Sequence, residues 1–457
     1  MKKLATAAAI IAVAVLAVFI ILDAATPKYN FDFFAMNTYV SGEVEDGKSD
    51  DIPQEIESII GTLDTKILSR TAEGSFVYNL NKNGEAVPDA EIAAYFSLLA
   101  EVCRQSGGAF DFTLGAVSDL WNFGGTPSIP DSANLADALS HSGYEKISVA
   151  DGRITLTDKA AVVDFGASGK GIALDSVKAF LEAQGAKRAV ISVGGSVLLY
   201  GDDEFTVGIK NPFGGADYAA RLTVKECCVS TSGRYEQYFE ENGKKYHHIL
   251  DPQTGYPAES GVISATVISE SGLLSDALST ACFVLGIEKG FDLAEEFGAT
   301  VIFVTESGEI HYKDSEDIKI IPVGEGFTLG THLIMNMKLL KKGDIAVIAA
   351  VILAALVFAY FSNSGGEKPV AVISVDGVTV ETVELHSLKE KREINLGGEY
   401  NIKIVAENGG IRFEHSDCKD KLCINAGSLK KGGDVAVCLP AKTVITVTGS
   451  DVDAVVG

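Results

Sequence analysis

Positive charge is scarce in this chain: 38 Lys and Arg face 62 Asp and Glu, a formal net charge of −24. A nucleic-acid-binding protein needs a basic stripe to neutralise phosphates, and none is present, so no nucleic acid is expected as a partner. The acidity fits a secreted, solvated surface and says little about fold. Also missing is a lipobox cysteine behind the first apolar run, Leu4–Leu22, and Ala24-Ala25 is a weak cleavage signal. That run is uncharged, follows Lys2 and Lys3, and is long enough to cross a bilayer at about 1.5 Å per residue. Residues 1–26 therefore read as an uncleaved signal anchor, with a cleaved signal peptide as the alternative.

A second apolar run, Ile345–Phe361, is near the lower limit of roughly 17 residues for a spanning helix. A buried core helix is the plainer reading. Lys338, Lys341 and Lys342 before the run and the Ser362–Gly366 linker after it favour a span. Met335-Asn336-Met337-Lys338 reads like the start of a second membrane protein, as in a fusion of two adjacent frames. The positive-inside tendency places the amino end of both spans in the cytoplasm, which one chain cannot do twice without another crossing.

At 457 residues two or more domains are expected. Residues 27–325 mix helix-like stretches (Pro53–Ile67, Asp89–Ser106, Ile172–Gln184, Ser275–Leu285, Ile287–Phe297) with strand-like runs such as Thr38–Glu43, Ala189–Val193, Phe205–Ile209 and Thr300–Val304. This is an α+β pattern. Residues 326–366 form a linker with the apolar helix 345–361. Residues 367–457 lack any helix of useful length. Short strands separated by glycine turns, among them Val370–Val375, Thr379–Leu385, Gly410–Phe413 and Val444–Thr448, predict a small all-β, barrel-like domain. The expected fold is thus an α+β domain plus a β domain, with two transmembrane helices.

Of the seven cysteines, Cys103 and Cys282 sit in apolar surroundings, and adjacent Cys227 and Cys228 face opposite ways on a probable strand; core packing is their expected role. Cys418 and Cys423, with Cys438 beyond, admit three readings: a Cys418–Cys423 disulfide if exported, free thiols, or a metal site that His415 completes.

A Walker loop is absent as well. In Asp164-Phe165-Gly166-Ala167-Ser168-Gly169-Lys170-Gly171 the glycine spacing differs, and Gly171 rather than Ser or Thr follows the lysine. Small residues there still let backbone N–H groups approach a phosphate, and the helix behind adds positive potential. Asp276 and Thr280 lie four apart on one helix face and supply hard oxygen donors suited to Mg²⁺. Taken singly, such a loop is more often a turn and such a pair a coincidence. Together they point to a nucleotide diphosphate. His248, in His247-His248-Ile249-Leu250-Asp251-Pro252, has an ordinary pKa suited to proton transfer; a structural histidine is an equal reading.

These blocks, in this order, resemble the family of ApbE-type FAD:protein FMN transferases over about Tyr29 to Pro322. Phe34-Ala35-Met36-Asn37-Thr38 resembles its opening strand, and Gly108-Ala109-Phe110-Asp111-Phe112-Thr113 its flavin-pocket segment. Val193-Gly194-Gly195 and Val229-Ser230-Thr231-Ser232-Gly233 resemble further signature strands. The resemblance implies Mg²⁺-dependent transfer of FMN from FAD to a Thr or Ser hydroxyl of another protein, with AMP released. An FAD pyrophosphatase or an FAD-storing protein is the alternative. It assigns His248 to proton transfer, Ala167, Asp276 and Thr280 to the metal, and Met36, Ala109, Phe110, Asp111, Asp164, Lys170 and Leu250 to FAD. For Met36, Phe110 and Leu250, core packing competes with that role. The chain departs from the family pattern at Gly169, where alanine is usual, at Ser196 for asparagine and at Arg234 for aspartate. Implied acceptors are redox proteins with FMN-binding domains, such as subunits of Rnf-type or sodium-translocating NADH reductase complexes. The implied location is the cell membrane, with the catalytic domain outside the cytoplasm. Cys418-Lys419-Asp420-Lys421-Leu422-Cys423 with Cys438-Leu439-Pro440 resembles the NusG domain II-like family.

Overall fold

The computed structural model describes residues 27–330 and 369–457, apart from 46, 48, 50, 215–217, 314–317, 389, 420, 450 and 451. The first domain is built on a nine-stranded sheet whose strands lie side by side in chain order: Lys28–Ala35, Thr38–Glu45, Arg188–Val193, Ser196–Gly201, Cys227–Gly233, Val262–Ser269, Thr300–Thr305, Glu309–Tyr312 and Thr328–Leu329. All neighbours are antiparallel except the last pair. The first hairpin turns on Met36 and Asn37, both with positive φ (52° and 55°), the conformation a tight two-residue turn demands.

Side chains alternate across this sheet and feed two cores. Leu198 points to one side, among Val44, Ile60, Ile172, Val177, Ala265 and Leu278, where the helices Ile52–Thr62, Gly169–Gln184 and Gly272–Leu285 pack. Val197 and Leu199 point to the other, among Val207, Ile209, Leu222, Val229 and Ile302. A second sheet covers that face: Lys319–Pro322, Tyr218–Val224, Phe205–Lys210 and, from the far end of the chain, Ala454–Val456. Val262–Ser269 lies between both layers and is buried at every position. The Ser264-Ala265-Thr266 stretch inside it is therefore no accessible acceptor of a covalent group.

The tail folds as a four-stranded sheet (Val378–Glu384, Val370–Val375, Thr443–Thr448, Val435–Cys438) and a three-stranded one (Arg392–Gly397, Ile402–Glu407, Gly410–His415). They close over Ile373, Val383, Ile404, Phe413, Ile445 and Val447. The chain then returns to the first domain. Ala454–Val456 pairs in parallel with Phe205–Lys210, and Asp453 accepts from Thr206 N at 2.7 Å and from Arg188.

One expectation is corrected. The fold as described contains no transmembrane helix: among the described residues no helix is long and apolar enough to cross a membrane. Both runs expected to span, Leu4–Leu22 and Ile345–Phe361, lie outside the described residues. Smaller differences concern boundaries. The helix expected over Pro53–Ile67 is α-helical to Thr62 and continues as a π-helical turn, Leu63–Leu68. That turn presents Asp64, whose Oδ2 accepts the Met36 N–H at 2.8 Å. The strand Arg392–Gly397 escaped the sequence pattern, as did the terminal strand.

Candidate active site

Two helix amino ends cross at the centre of the site. A Cβ on Gly171 would lie 2.0 Å from the Gly272 carbonyl oxygen, and one on Gly272 2.4 Å from that of Gly171. Only glycine at both positions permits the approach. Each helix carries the acid that caps the other. Asp175 accepts from Gly272 N (2.6 Å), Leu273 N (3.0 Å) and Ser271 Oγ (2.9 Å). Asp276 accepts from Gly171 N at 3.0 Å, and its other oxygen stands 3.3 Å from Ser196 Oγ. A carboxylate at a helix amino end is favoured by the helix dipole.

Asp276 is buried, and hydroxyls line the same side of its helix. Ser230 Oγ is 2.9 Å from Ser275 Oγ; Ser232 Oγ is 2.8 Å from Ser279 Oγ and 3.1 Å from Thr280 Oγ1. The donor set is wholly oxygen, the kind a hard divalent cation such as Mg²⁺ takes. Ser168 Oγ, next to Ala167 at the start of the Lys170 helix, is buried with no hydrogen-bond partner among the described residues, and so is Glu236 Oε1. Orphaned acceptors of this kind call for a ligand that reaches them. The residues present thus fit a bound cation and phosphate.

Lys170 belongs to the same group. Burial works against its charge, yet Asp276 and Glu236 together lift its pKa above the ordinary value. Lys170 Nζ and the orphaned Glu236 Oε1 both face Gly195, 3.9 and 3.3 Å from where a Cβ there would lie. His248 lies close enough to feel both charges. Burial is the largest influence and pulls its pKa below the usual value, Glu236 and the Gln237 carbonyl partly offset that, and Lys170 adds to it. Its Nδ1 is 3.2 Å from the Gln237 carbonyl oxygen, which assigns the proton to Nδ1 and leaves Nε2 as a free acceptor. His247 faces the opposite way. Its Nε2 is 3.1 Å from the Ala258 carbonyl oxygen, its ring stands edge-on to Phe283, and burial pushes its pKa down to about 4.

Met36 reaches over the loop: its Cε would lie 3.2 Å from a Cβ on Gly169, so glycine there gives the thioether room. Asp164 accepts from Gly166 N (2.8 Å) and from Arg70 Nε (2.9 Å). Arg70 in turn holds Asp119 through both its terminal nitrogens, at 2.9 and 2.7 Å. The Ala109–Thr113 segment runs beside this loop, with Asp164 N donating to the Phe112 carbonyl at 2.8 Å. Ala109 and Phe110 are buried, Phe110 within the main core. Asp111 is fully engaged by Thr113 N, Thr113 Oγ1 and Tyr144 N, and burial raises its pKa. Leu250 packs with Val117, Trp121 and Leu135. Lys170, Asp276, Thr280, Met36 and Asp164 therefore share one locality with His248; Phe110 and Leu250 lie in the flanking apolar clusters, and Asp111 is held by Thr113 and Tyr144. Sequence reasoning missed Arg70, Asp119, Asp175 and Glu236. Asp175 alone left a local signal, an acid within the apolar run of its own helix.

The ApbE family model matches residues 36–303, well over half the chain. The chain belongs to the ApbE family. Membership makes it a transferase. The FAD:protein FMN transferase of Treponema pallidum (strain Nichols) is 34% identical over 263 residues, 52% of this chain and 73% of that relative. That of Klebsiella pneumoniae (strain 342) is 35% identical over 233 residues, 50% and 72%. The crystal structure of the ApbE protein from Thermotoga maritima MSB8 matches with a TM-score of 0.58 at 32% identity, covering 64% of this chain and 97% of that one. Apo flavinyl transferase ApbE from Pseudomonas stutzeri gives 0.55 at 28%, covering 65% and 95%. The NusG domain II model matches residues 345–451. Within the ApbE-like domain, the crossed helices and their reciprocal caps are the frame that carries Lys170, Asp175 and Asp276.

Proposed function

We propose that this transferase moves FMN from FAD to a threonine or serine hydroxyl of an acceptor protein, with AMP as the leaving group. The observation that carries the reading is the cluster of Lys170, Asp276 and His248 beside the unpartnered Ser168 and Glu236 oxygens, at a helix amino end. Helix amino ends and buried cations are where a diphosphate is held. The acceptor hydroxyl gives its proton to His248 Nε2, which is neutral because burial depresses its pKa. The hydroxyl oxygen forms a bond to the FMN phosphorus, the bond from that phosphorus to the bridging oxygen breaks, and AMP departs carrying that oxygen. Lys170 balances the phosphate charge throughout. Asp276, Thr280 and the Ala167 carbonyl would hold Mg²⁺, which when bound supplies Lewis-acid polarisation of the diphosphate. Arg70 fixes Asp164, so that the FAD-facing loop keeps its shape.

The acceptors in this reading are redox proteins with FMN-binding domains, of the Rnf-type or sodium-translocating NADH reductase kind. The apolar run Leu4–Leu22 behind Lys2 and Lys3 supports action outside the cytoplasm. Incubation with FAD, Mg²⁺ and an acceptor domain, followed by flavin fluorescence in a denaturing gel and AMP assay, tests it. One fluorescent flavin on the acceptor per AMP is expected. AMP without labelled acceptor establishes a pyrophosphatase instead, and unchanged bound FAD a storage protein.

A further inference from the structure

The β-rich tail holds a cluster that flavin transfer does not use. Cys418 lies in the loop after Gly410–His415, Cys423 in the short helix Leu422–Asn425, and Cys438 at the end of Val435–Cys438. We propose that Cys418, Cys423 and Cys438 form a three-thiolate site for one soft monovalent cation, copper(I).

The three sulfurs lie within 4.8 Å of one another, and those of Cys418 and Cys423 are 3.5 Å apart. Three sulfurs bound to one ion at about 2.3 Å stand about 4 Å apart in a plane, so the thiols are already nearly in place. Each cysteine is at most 3% exposed. Two separate chain segments supply them, and Ser416, itself buried, braces both: its Oγ accepts from Cys418 N at 3.1 Å and lies 3.5 Å from Cys438 Sγ. Lys421, partly buried, donates to the Ser416 carbonyl and so brings positive charge to the cluster.

The choice of ion follows from the donors. Structural zinc closes its shell with four ligands. His415, the sequence's candidate for the fourth, is half exposed and bound to Asp417 at 3.0 Å. Among the described residues no histidine or carboxylate joins the three sulfurs. A dry, all-sulfur, three-donor site suits copper(I), whose preference is for soft thiolates. A Cys418–Cys423 disulfide would use two of the three thiols, leave Cys438 without purpose, and require the sulfurs to close to about 2.05 Å. Cu⁺ bound by three thiolates displaces the thiol protons that remain and leaves a complex of charge −2, which Lys421 opposes.

The test uses the full chain, reduced, metal-free and anaerobic, titrated with copper(I) acetonitrile complex against bathocuproine disulfonate. Expected are one copper(I) withheld per chain, X-ray absorption showing three sulfur neighbours and no lighter one, and protection of Cys418, Cys423 and Cys438 from alkylation. Cys438→Ser and Cys418→Ser should each weaken retention about 100-fold or more, with Cys282→Ser unchanged. Circular dichroism checks folding, and the alkylation map needs no variant. The proposal is overturned by chelator removing all copper, by a Cys418–Cys423 disulfide that persists in excess copper(I), or by zinc held more tightly with an oxygen in its shell.

Discussion

Asp276→Asn separates the metal reading of this carboxylate from its visible task as a helix cap. Asparagine keeps the shape: its Oδ1 still accepts from Gly171 N and its Nδ2 still faces Ser196 Oγ. What goes is the charge. A charge-assisted hydrogen bond becomes a neutral one, at a stability cost of about 1 kcal/mol, so the melting temperature should drop only a few degrees. Lys170 also loses the larger of the two carboxylate influences that sustain its charge. Transfer is another matter. Mg²⁺ depends on carboxylate charge and tolerates little deviation from its geometry. Losing that charge should slow flavin transfer roughly 10²–10³-fold, by analogy with the removal of a single oxyanion-hole donor; that is about 3–4 kcal/mol on the barrier. The assay is in-gel flavin fluorescence of an acceptor domain against Mg²⁺ concentration, beside a thermal melt. Near-normal transfer at limiting Mg²⁺ would refute the metal assignment and leave Asp276 as a cap alone. Thr280→Val in the same assay should be comparably severe if its hydroxyl holds the ion. Ser232 retains Ser279 as a partner, so the fold is expected to stand.

Other perturbations read other parts of the structure. Gly171→Ala drives a methyl to 2.0 Å from the Gly272 carbonyl oxygen, should cost about 3 kcal/mol, and should lower the melting temperature by roughly 5–10 °C while abolishing transfer. His247 is buried neutral with its pKa lowered to about 4, against 6.5 when unfolded. The unfolded chain therefore binds the proton first, and stability falls as pH drops through 6.5 toward 4, by about 2 kcal/mol at pH 5. His247→Asn should flatten that part of a pH series of melts; an unchanged slope puts the dependence elsewhere. Val456→Asp places an unpaired charge in the core that Val207, Ile209 and Leu222 form, at a cost of about 3–5 kcal/mol. The melt of the transferase domain itself should shift, and a shift confined to the tail domain contradicts the parallel pairing at Ala454–Val456.

What was legible in the sequence was local. Periodicity located the long helices and a part of the strands, because a residue's burial on a regular element depends on neighbours a few positions away; Ser196–Gly201, Tyr218–Val224 and Lys319–Pro322 were among those it did not single out. The loop from Asp164 to Gly171 and the Asp276/Thr280 pair were legible for the same reason. Partnerships were not. Arg70 meets Asp164 across 94 residues, Asp276 meets Gly171 across 105, and Arg188 meets Asp453 across 265. No propensity or spacing encodes such pairs; they exist only once the sheet order is set. The terminal strand Ala454–Val456 is the extreme case, three residues whose strand character comes from an edge strand some 245 positions earlier.

Gly171 shows how the two levels combine. In the sequence its smallness reads as room for a phosphate, and the N–H groups of the loop read as donors to it. In the structure that N–H is already given to Asp276, and the missing side chain is needed for the Gly272 backbone. The glycine therefore acts on the ligand at one remove. It brings the two helix amino ends together, which sets Asp276 against the Lys170 loop and turns two separate motifs into one site. The reciprocal cap by Asp175 holds the second helix at the same crossing. A cation held by Asp276 and a phosphate beside Lys170 would consequently share one rigid reference frame. That sharing is what an in-line displacement at a diphosphate needs, since its charge-stabilising groups must keep their spacing while the phosphorus moves between oxygens.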